Sequence, residues 1–195
     1  MNYFISDIHF SDEITMRLEN RPFKSIAKYD RHIIKTLNKR MSANDTLYVI
    51  GDFLDCDDAT CTGWKKSLKY ASKIKAKIIL IVGNNEERII DSFFGGDFES
   101  FRKMCIENGF EDVKKNDIVE FAGIKFFLTH EPKDRREGFV NLCGHLHRSR
   151  GTWYAFGLNM SCDLNNFLPY SVMDILFQLS QKQQHYSLDS NFKCY

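Results

Sequence analysis

Three short apolar runs, residues 1–5, 47–50 and 78–82, each closed by a glycine or a polar residue, constrain this chain most. They are rich in Ile, Val, Leu and aromatics, and continuous runs of this length suit strands buried on both faces. Between them the period changes. Ile26, Tyr29, Ile33, Leu37 and Met41 form an apolar stripe with Lys and Arg opposite, the pattern of a helix packed on one face. Trp64, Leu68 and Ala71 repeat it, and Phe98, Phe101 and Cys105 do so again. This alternation predicts an α/β fold with a largely parallel first half.

The second half reads differently. Residues 118–121, then Ala122-Gly123, then residues 124–129 predict a hairpin. Residues 139–143, 152–156 and 158–161 predict further short strands, and Ser171-x-x-Asp174 predicts a capped helix over Ile175, Leu176 and Leu179. Residues 181–195 carry weak pattern and no assigned role. No repeat or low-complexity linker divides the 195 residues, a length that suits a single domain, residues 1–195.

Charge and cysteine content bound the function. With 27 basic and 26 acidic residues the chain has no general pull toward nucleic acid or an anionic membrane, so any anion site is local. No apolar stretch reaches the roughly 18–20 residues of a membrane span. The opening residues turn polar at Ser6 and Asp7, which leaves no room for a signal peptide. The six cysteines form no CxxC pair and read as reduced thiols, so a cytoplasmic protein is expected.

The chemistry lies where the apolar runs end. Asp7-Ile8-His9 follows the first, Gly51-Asp52-Phe53-Leu54-Asp55 the second, and Gly83-Asn84-Asn85-Glu86 the third. Thr129-His130 and Gly144-His145-Leu146-His147 close two later strands. Ligands of α/β sheets bind in the crevice beyond the carboxyl ends of the strands. Asp-x-His places two side chains on one face of an extended segment, and the glycine before His145 permits close approach. Singly these motifs are weak; a lone histidine is more often a satisfied core residue. Four of the six histidines in one ordered series with Asp7, Asp52 and Asn84 are not explained by packing.

That series, Asp-x-His, Gly-Asp-x-x-Asp, Gly-Asn, a lone His, then Gly-His-x-His, resembles the calcineurin-like metallophosphoesterases. Asn20-Arg21-Pro22-Phe23 and the stretch from Asn159 to Ser171 resemble the small bacterial and phage branch of that family. The resemblance implies a four-layer α/β/β/α sandwich, two mixed sheets with helices outside, and two divalent metal ions. Asp7, His9, Asp52 and His147 would hold one ion, and Asp52, Asn84, His130 and His145 the other. Asp52 would bridge them together with a water or hydroxide that attacks phosphorus. Imidazole and carboxylate donors suit Mn²⁺ foremost, with Fe, Zn²⁺, Co²⁺ or Ni²⁺ as alternatives.

One departure matters. The family usually carries His after the Gly-Asn motif; here Asn85 stands there, and an amide cannot act as a general acid near neutral pH. Asp52, Asn84 and Asn85 are therefore the expected catalytic group, with Asn85 and Arg148 against the substrate. Glu86 reads either as a proton source or, more simply, as a carboxylate favoured by a helix N-terminus. Asp163 reads as a turn residue or as the carboxylate that orients a ligand histidine. Lys133, Arg135, Arg136, Arg148 and Arg150 make a modestly basic rim, and Arg17 and Arg21 lie within possible reach. The lysines from Lys65 to Lys77 read as a solvated face.

The expected function is hydrolysis of phosphate esters, diesters before monoesters, on a small phosphorylated substrate. Nucleic acid enters at most as a nucleotide or a nucleic-acid end. The alternative is a metal-binding scaffold for a protein partner, disfavoured because all seven ligand positions hold competent residues.

Overall fold

A computed structural model describes residues 1–56, 61–149, 151–154 and 157–189. The first sheet has the order β10-β1-β2-β3-β4, with β1 (Asn2–Ile5), β2 (Thr46–Ile50), β3 (Lys77–Ile81) and β4 (Asp112–Lys114) mutually parallel. The short β10 (Tyr170–Ser171) runs antiparallel to β1. The second sheet has the order β5-β6-β7-β9-β8. Its hairpin of β5 (Asp117–Phe121) and β6 (Ile124–Leu128) leads to β7 (Val140–Cys143), β8 (Trp153–Tyr154) and β9 (Gly157–Asn159). β6, β7 and β9 are parallel to one another.

Period-2 alternation explains why the first-sheet strands are apolar throughout. Ile5, Leu47, Val49, Ile78 and Leu80 face one core with helix residues Ile33, Leu37, Ile89 and Phe101. The intervening Phe4, Ile50 and Ile81 face a second core with Phe126, Leu128, Leu142 and Leu158 of the other sheet. The two sheets therefore pack face to face and helices flank them, the sandwich that the motif series implied. The helices are α1 (Glu13–Leu18), α2 (Ile26–Arg40), α3 (Trp64–Leu68), α4 (Asn84–Phe94), α5 (Phe98–Glu107) and α6 (Val172–Asp189).

The stripe on α2 is buried as its spacing requires, and the α6 cap forms as read: Ser171 N donates to Asp174 Oδ2 (2.8 Å) and Asp174 N to Ser171 Oγ (3.1 Å). α6 continues through part of the stretch that carried weak pattern. α1 and β4 have no counterpart in the sequence reading, and of α4 only the start, at Glu86, has one. No helix among the described residues is long and apolar enough to cross a membrane.

One expectation is corrected. Cys56 and Cys61 are paired as a disulfide, with Cα atoms 4.3 Å apart, whereas Cys105, Cys143 and Cys162 are buried thiols outside any disulfide. The two cysteines flank a four-residue segment, so no CxxC signature marks them. The pairing removes reduced thiols as a ground for a cytoplasmic location.

Candidate metal centre

Asp7 and His9 follow β1, Asp52 follows β2, and Asn84 opens α4 just beyond β3. His130 follows β6, while His145 and His147 follow β7. Five of these seven, Asp7, His9, Asp52, His145 and His147, have φ between 42° and 67°. Left-handed backbone is uncommon outside glycine and asparagine and costs on the order of 1–3 kcal/mol per residue. Here it turns each chain back over the strand ends. The loops are tied together as they leave the first sheet, with Asp7 N donating to Gly51 O (3.2 Å) and His9 N to Asp52 O (2.8 Å). Gly51, at φ +81°, is required there, because a Cβ would enter the His130 ring.

The donors converge on Asp52. Its Oδ2 lies 3.5 Å from His9 Nε2 and 3.4 Å from His130 Nε2. Asn84 Oδ1 lies 2.9 Å from His130 Nε2 and 3.0 Å from His145 Nδ1. Asp7, His9 and His147 offer atoms within 4.8 Å of one another, as do Asp7, Asp52 and His130. Donors that each sit about 2.1 Å from one cation are about 3.0–3.4 Å apart, so several of these pairs already hold ligand-like spacings. His9 Nε2 is buried with no hydrogen-bond partner, a cost that a bound cation would remove. The donors, imidazole, carboxylate and amide oxygen, fit the binding of divalent metal.

Behind the donors, three histidines are held by Nδ1 so that Nε2 faces inward. His130 Nδ1 bonds Ile50 O (2.9 Å), His147 Nδ1 bonds Asp163 Oδ2 (2.9 Å), and His9 Nδ1 lies 3.2 Å from Asp12 Oδ2. Such partners fix ring orientation and raise ligand basicity. His145 differs, presenting Nδ1 to Asn84, and is exposed. Asp163 is the orienting carboxylate rather than a plain turn residue, and Arg21 grips it through Nε and Nη2 at 2.9 Å each. Asp7 accepts from Ser6 Oγ (2.7 Å) and from His145 N (2.9 Å), and Asp52 Oδ1 accepts from Asn85 N (3.0 Å).

Electrostatics follow from this crowding. Burial alone would lower His9 and His130, but the surrounding carboxylates, Asp12 and Asp52 for His9 and Asp52 for His130, raise them to about 9 and about 10. Burial would raise Asp52, yet His130 and His9 hold it well below the usual carboxylate range.

The other sequence candidates divide. Asn85 is fully buried: Nδ2 donates to Leu54 O (3.0 Å) and lies 3.3 Å from His9 Nδ1. In this arrangement the amide braces the His9 loop from behind. Glu86 is also fully buried and accepts from the backbone N–H groups of Asp52, Phe53, Leu54 and Gly83. That carboxylate is a structural hub joining the β2 and β3 loops, which answers to the helix N-terminus reading and not to a proton source. Arg148 is exposed. Arg17 pairs with Glu13 on the outside of α1, whereas Arg21 reaches the centre from behind. Asp55 N donates to Ser67 Oγ, and the lysines from Lys65 to Lys77 are exposed, as a solvated face requires. Arg150 lies outside the described residues. Sequence reading missed Asp12, which caps α1 by accepting from Thr15 N (2.7 Å) while facing His9. The Ser11-Asp12-Glu13 start signal was available for it.

A two-sheet α/β sandwich with clustered metal donors beyond its strand ends defines a protein of the metallophosphatase class. The chain belongs to the calcineurin-like phosphoesterase family, whose model matches residues 3–177. It is 26% identical over 190 residues to protein MJ1445 of Methanocaldococcus jannaschii, covering 92% of this chain and 91% of the relative. Among solved structures it resembles protein AQ665 of Aquifex aeolicus, with 23% identity, a TM-score of 0.63, and coverage of 91% of this chain and 98% of the other. An archaeal phosphodiesterase structure also matches at 19% identity and a TM-score of 0.46, covering 82% of this chain and 81% of that one.

Proposed function

We propose that this chain is a metal-dependent phosphoesterase that prefers phosphodiesters of small molecules. The observation that carries this reading is the position of Asp52 Oδ2, 3.5 Å from His9 Nε2 on one side and 3.4 Å from His130 Nε2 on the other. Asp7, His9, Asp52 and His147 would hold one divalent ion; Asp52, Asn84, His130 and His145 would hold the other, with Mn²⁺ the first candidate. Two such ions clamp phosphoryl oxygens and lower the pKa of a water between them.

The residues supply the rest. Asp12, Ile50 and Asp163 keep three imidazoles aimed by Nδ1, so the donor set is organised before any ligand arrives. Asn84 sets the distance between His130 and His145 by facing both. The diester preference rests on Asn85. A protonated imidazole there would add positive charge beside the phosphate and a proton for the leaving group. A neutral amide turned toward Leu54 adds neither, which suits a single negative charge and a leaving group that departs unprotonated.

The test is hydrolysis of bis-p-nitrophenyl phosphate by metal-stripped protein, with and without Mn²⁺, beside p-nitrophenyl phosphate and an Asp52→Asn variant. Turnover that needs Mn²⁺, favours the diester and falls to background in Asp52→Asn supports the reading. No turnover with two ions bound would overturn it in favour of a metal-binding scaffold.

A further inference from the structure

Beyond His130 the chain makes a short 3₁₀ turn, Pro132–Asp134, and then a loop into β7. A cleft of about 690 Å³ opens there, lined by Lys133, Arg135, Arg136, Glu137, Phe139 and Asn141 among others. That volume is in the range that takes a small organic ligand. Lys133 also borders the smaller depression edged by Asn84 and His130, so the cleft adjoins the metal centre on the side of those two donors.

The loop is built rather than merely solvated. Asn141 is 2% exposed, and its side chain ties the loop at both ends. Its Oδ1 accepts from Arg136 N (2.7 Å), and its Nδ2 donates to Arg136 O and Phe139 O (3.1 Å each). The Arg136 guanidinium lies 4.6 Å from the centroid of the Phe127 ring and 5.8 Å from that of Phe139. The two rings reduce the freedom of that cation, and its planar fork of N–H donors suits an oxyanion such as phosphate. Lys133, Arg135, Arg136 and Glu137 line the cleft, and Lys133 is paired with Glu131 at 2.5 Å, so the ring-held Arg136 is the cation best placed to receive an anion. Guanidinium groups bind phosphate through paired, charge-assisted hydrogen bonds.

We propose that this cleft binds a second phosphate of the substrate, distinct from the one hydrolysed. The inference rests on the phosphoesterase reading above and narrows it to substrates carrying two phosphates. A matched pair tests it: thymidine 5′-(p-nitrophenyl phosphate) and the same ester bearing a 3′-phosphate, each compared with bis-p-nitrophenyl phosphate. The 3′-phosphate is expected to raise kcat/KM at least tenfold, mainly through KM. In the Arg135→Ala/Arg136→Ala variant the ratio of the two substrates should fall to near one. Equal kcat/KM for both substrates in the native protein, or an advantage that survives the double substitution, would overturn the inference. If bis-p-nitrophenyl phosphate is not hydrolysed at all, the phosphoesterase reading fails instead. Calorimetric titration of the metal-free protein with thymidine 3′,5′-bisphosphate then decides the cleft alone. Binding weakened at least tenfold by the double substitution supports it; no binding, or equal binding, overturns it.

Discussion

Arg21 never meets a ligand, yet it organises half of the centre. Its side chain is fully buried, gripping Asp163 through two nitrogens and donating to the carbonyl oxygens of Asp7 (2.7 Å) and Ile8 (2.9 Å). It thereby holds the loop of Asp7 and His9 and, through Asp163, the ring of His147. Arg21→Ala would leave Asp163 buried with only His147 and a long bond from Ser161 Oγ, at a cost of about 3–5 kcal/mol. It should also weaken the ion on that side by about 10–100-fold. Arg21→Lys keeps the charge but loses the fork, so urea unfolding and metal titration should place it between wild type and Arg21→Ala. Asp163 carries a pH signature as well. Burial would raise it, but His147 and Arg21 hold it well below the ordinary carboxylate value. A carboxylate lowered in the folded state adds stability that is present above its unfolded pKa, about 3.9, and lost as pH falls below it. The urea midpoint of metal-free protein should therefore begin to fall below about pH 5 and keep falling past pH 3 toward the depressed folded-state value, less steeply in Asp163→Asn. The seven donors stood out in the sequence because their residue types, placed after apolar runs, have no packing explanation, whereas Asp163 was readable only through the family resemblance, as an orienting carboxylate or a turn residue. Arg21 as a strut was not, since its bond to Asp163 spans 142 residues and follows no local period. Asn85 was legible as a departure from pattern, but not its burial.

At the scale of elements, β1, β2 and β3 were readable because both their faces are buried and every residue type reports it. Of α4 only the start was readable, at Glu86, because Gly83-Asn84-Asn85 also reads as a turn, and β4 offers only Val113 to a core. The junction from β3 to α4 is where element geometry becomes chemistry. Glu86, in the first turn of α4, collects backbone N–H groups from the β2 loop and from Gly83, so the helix start and the Asp52 loop move together. Gly83 is the point of closest approach: a Cβ there would strike Asp52 Oδ1 and come within 2.9 Å of Gly51 Cα. The overlap involves backbone as well as a carboxylate, so it cannot be relieved by one rotamer change. Gly83→Ala should keep its helix content by far-ultraviolet circular dichroism while Asp52 shifts. A displacement near 1 Å can cost on the order of 10²-fold in turnover, and bis-p-nitrophenyl phosphate hydrolysis under saturating Mn²⁺ measures it. Wild-type rates in that variant would show that Asp52 tolerates the shift.

On the whole-molecule scale the centre joins the two sheets. Asp7, His9, Asp52 and Asn84 leave the first sheet, and His130, His145 and His147 leave the second. Neither composition nor periodicity showed this seam; the face-to-face packing was legible only through the order of the motifs. Its energetics point to a protein that depends on its ions. Without them, two acidic side chains and two histidines are crowded at 0–3% exposure, His9 Nε2 has no hydrogen-bond partner, and five donors sit in left-handed backbone. These costs belong to the folded state alone, because the unfolded chain relaxes all of them. Ions that bind only the folded chain add RT ln(1 + [L]/Kd), about 2.7 kcal/mol at a hundredfold excess over Kd. For a chain of this length each kcal/mol moves Tm by about 2–4 °C. Mn²⁺ at that excess should therefore raise Tm by about 5–11 °C for each ion bound, over metal-stripped protein in a calorimetric scan. Asp52→Asn, which weakens the donor on which His9 and His130 converge, should lose most of the shift. A Tm indifferent to Mn²⁺ would mean that the seam is held by its protein contacts alone, and that the donors carry their strain without metal.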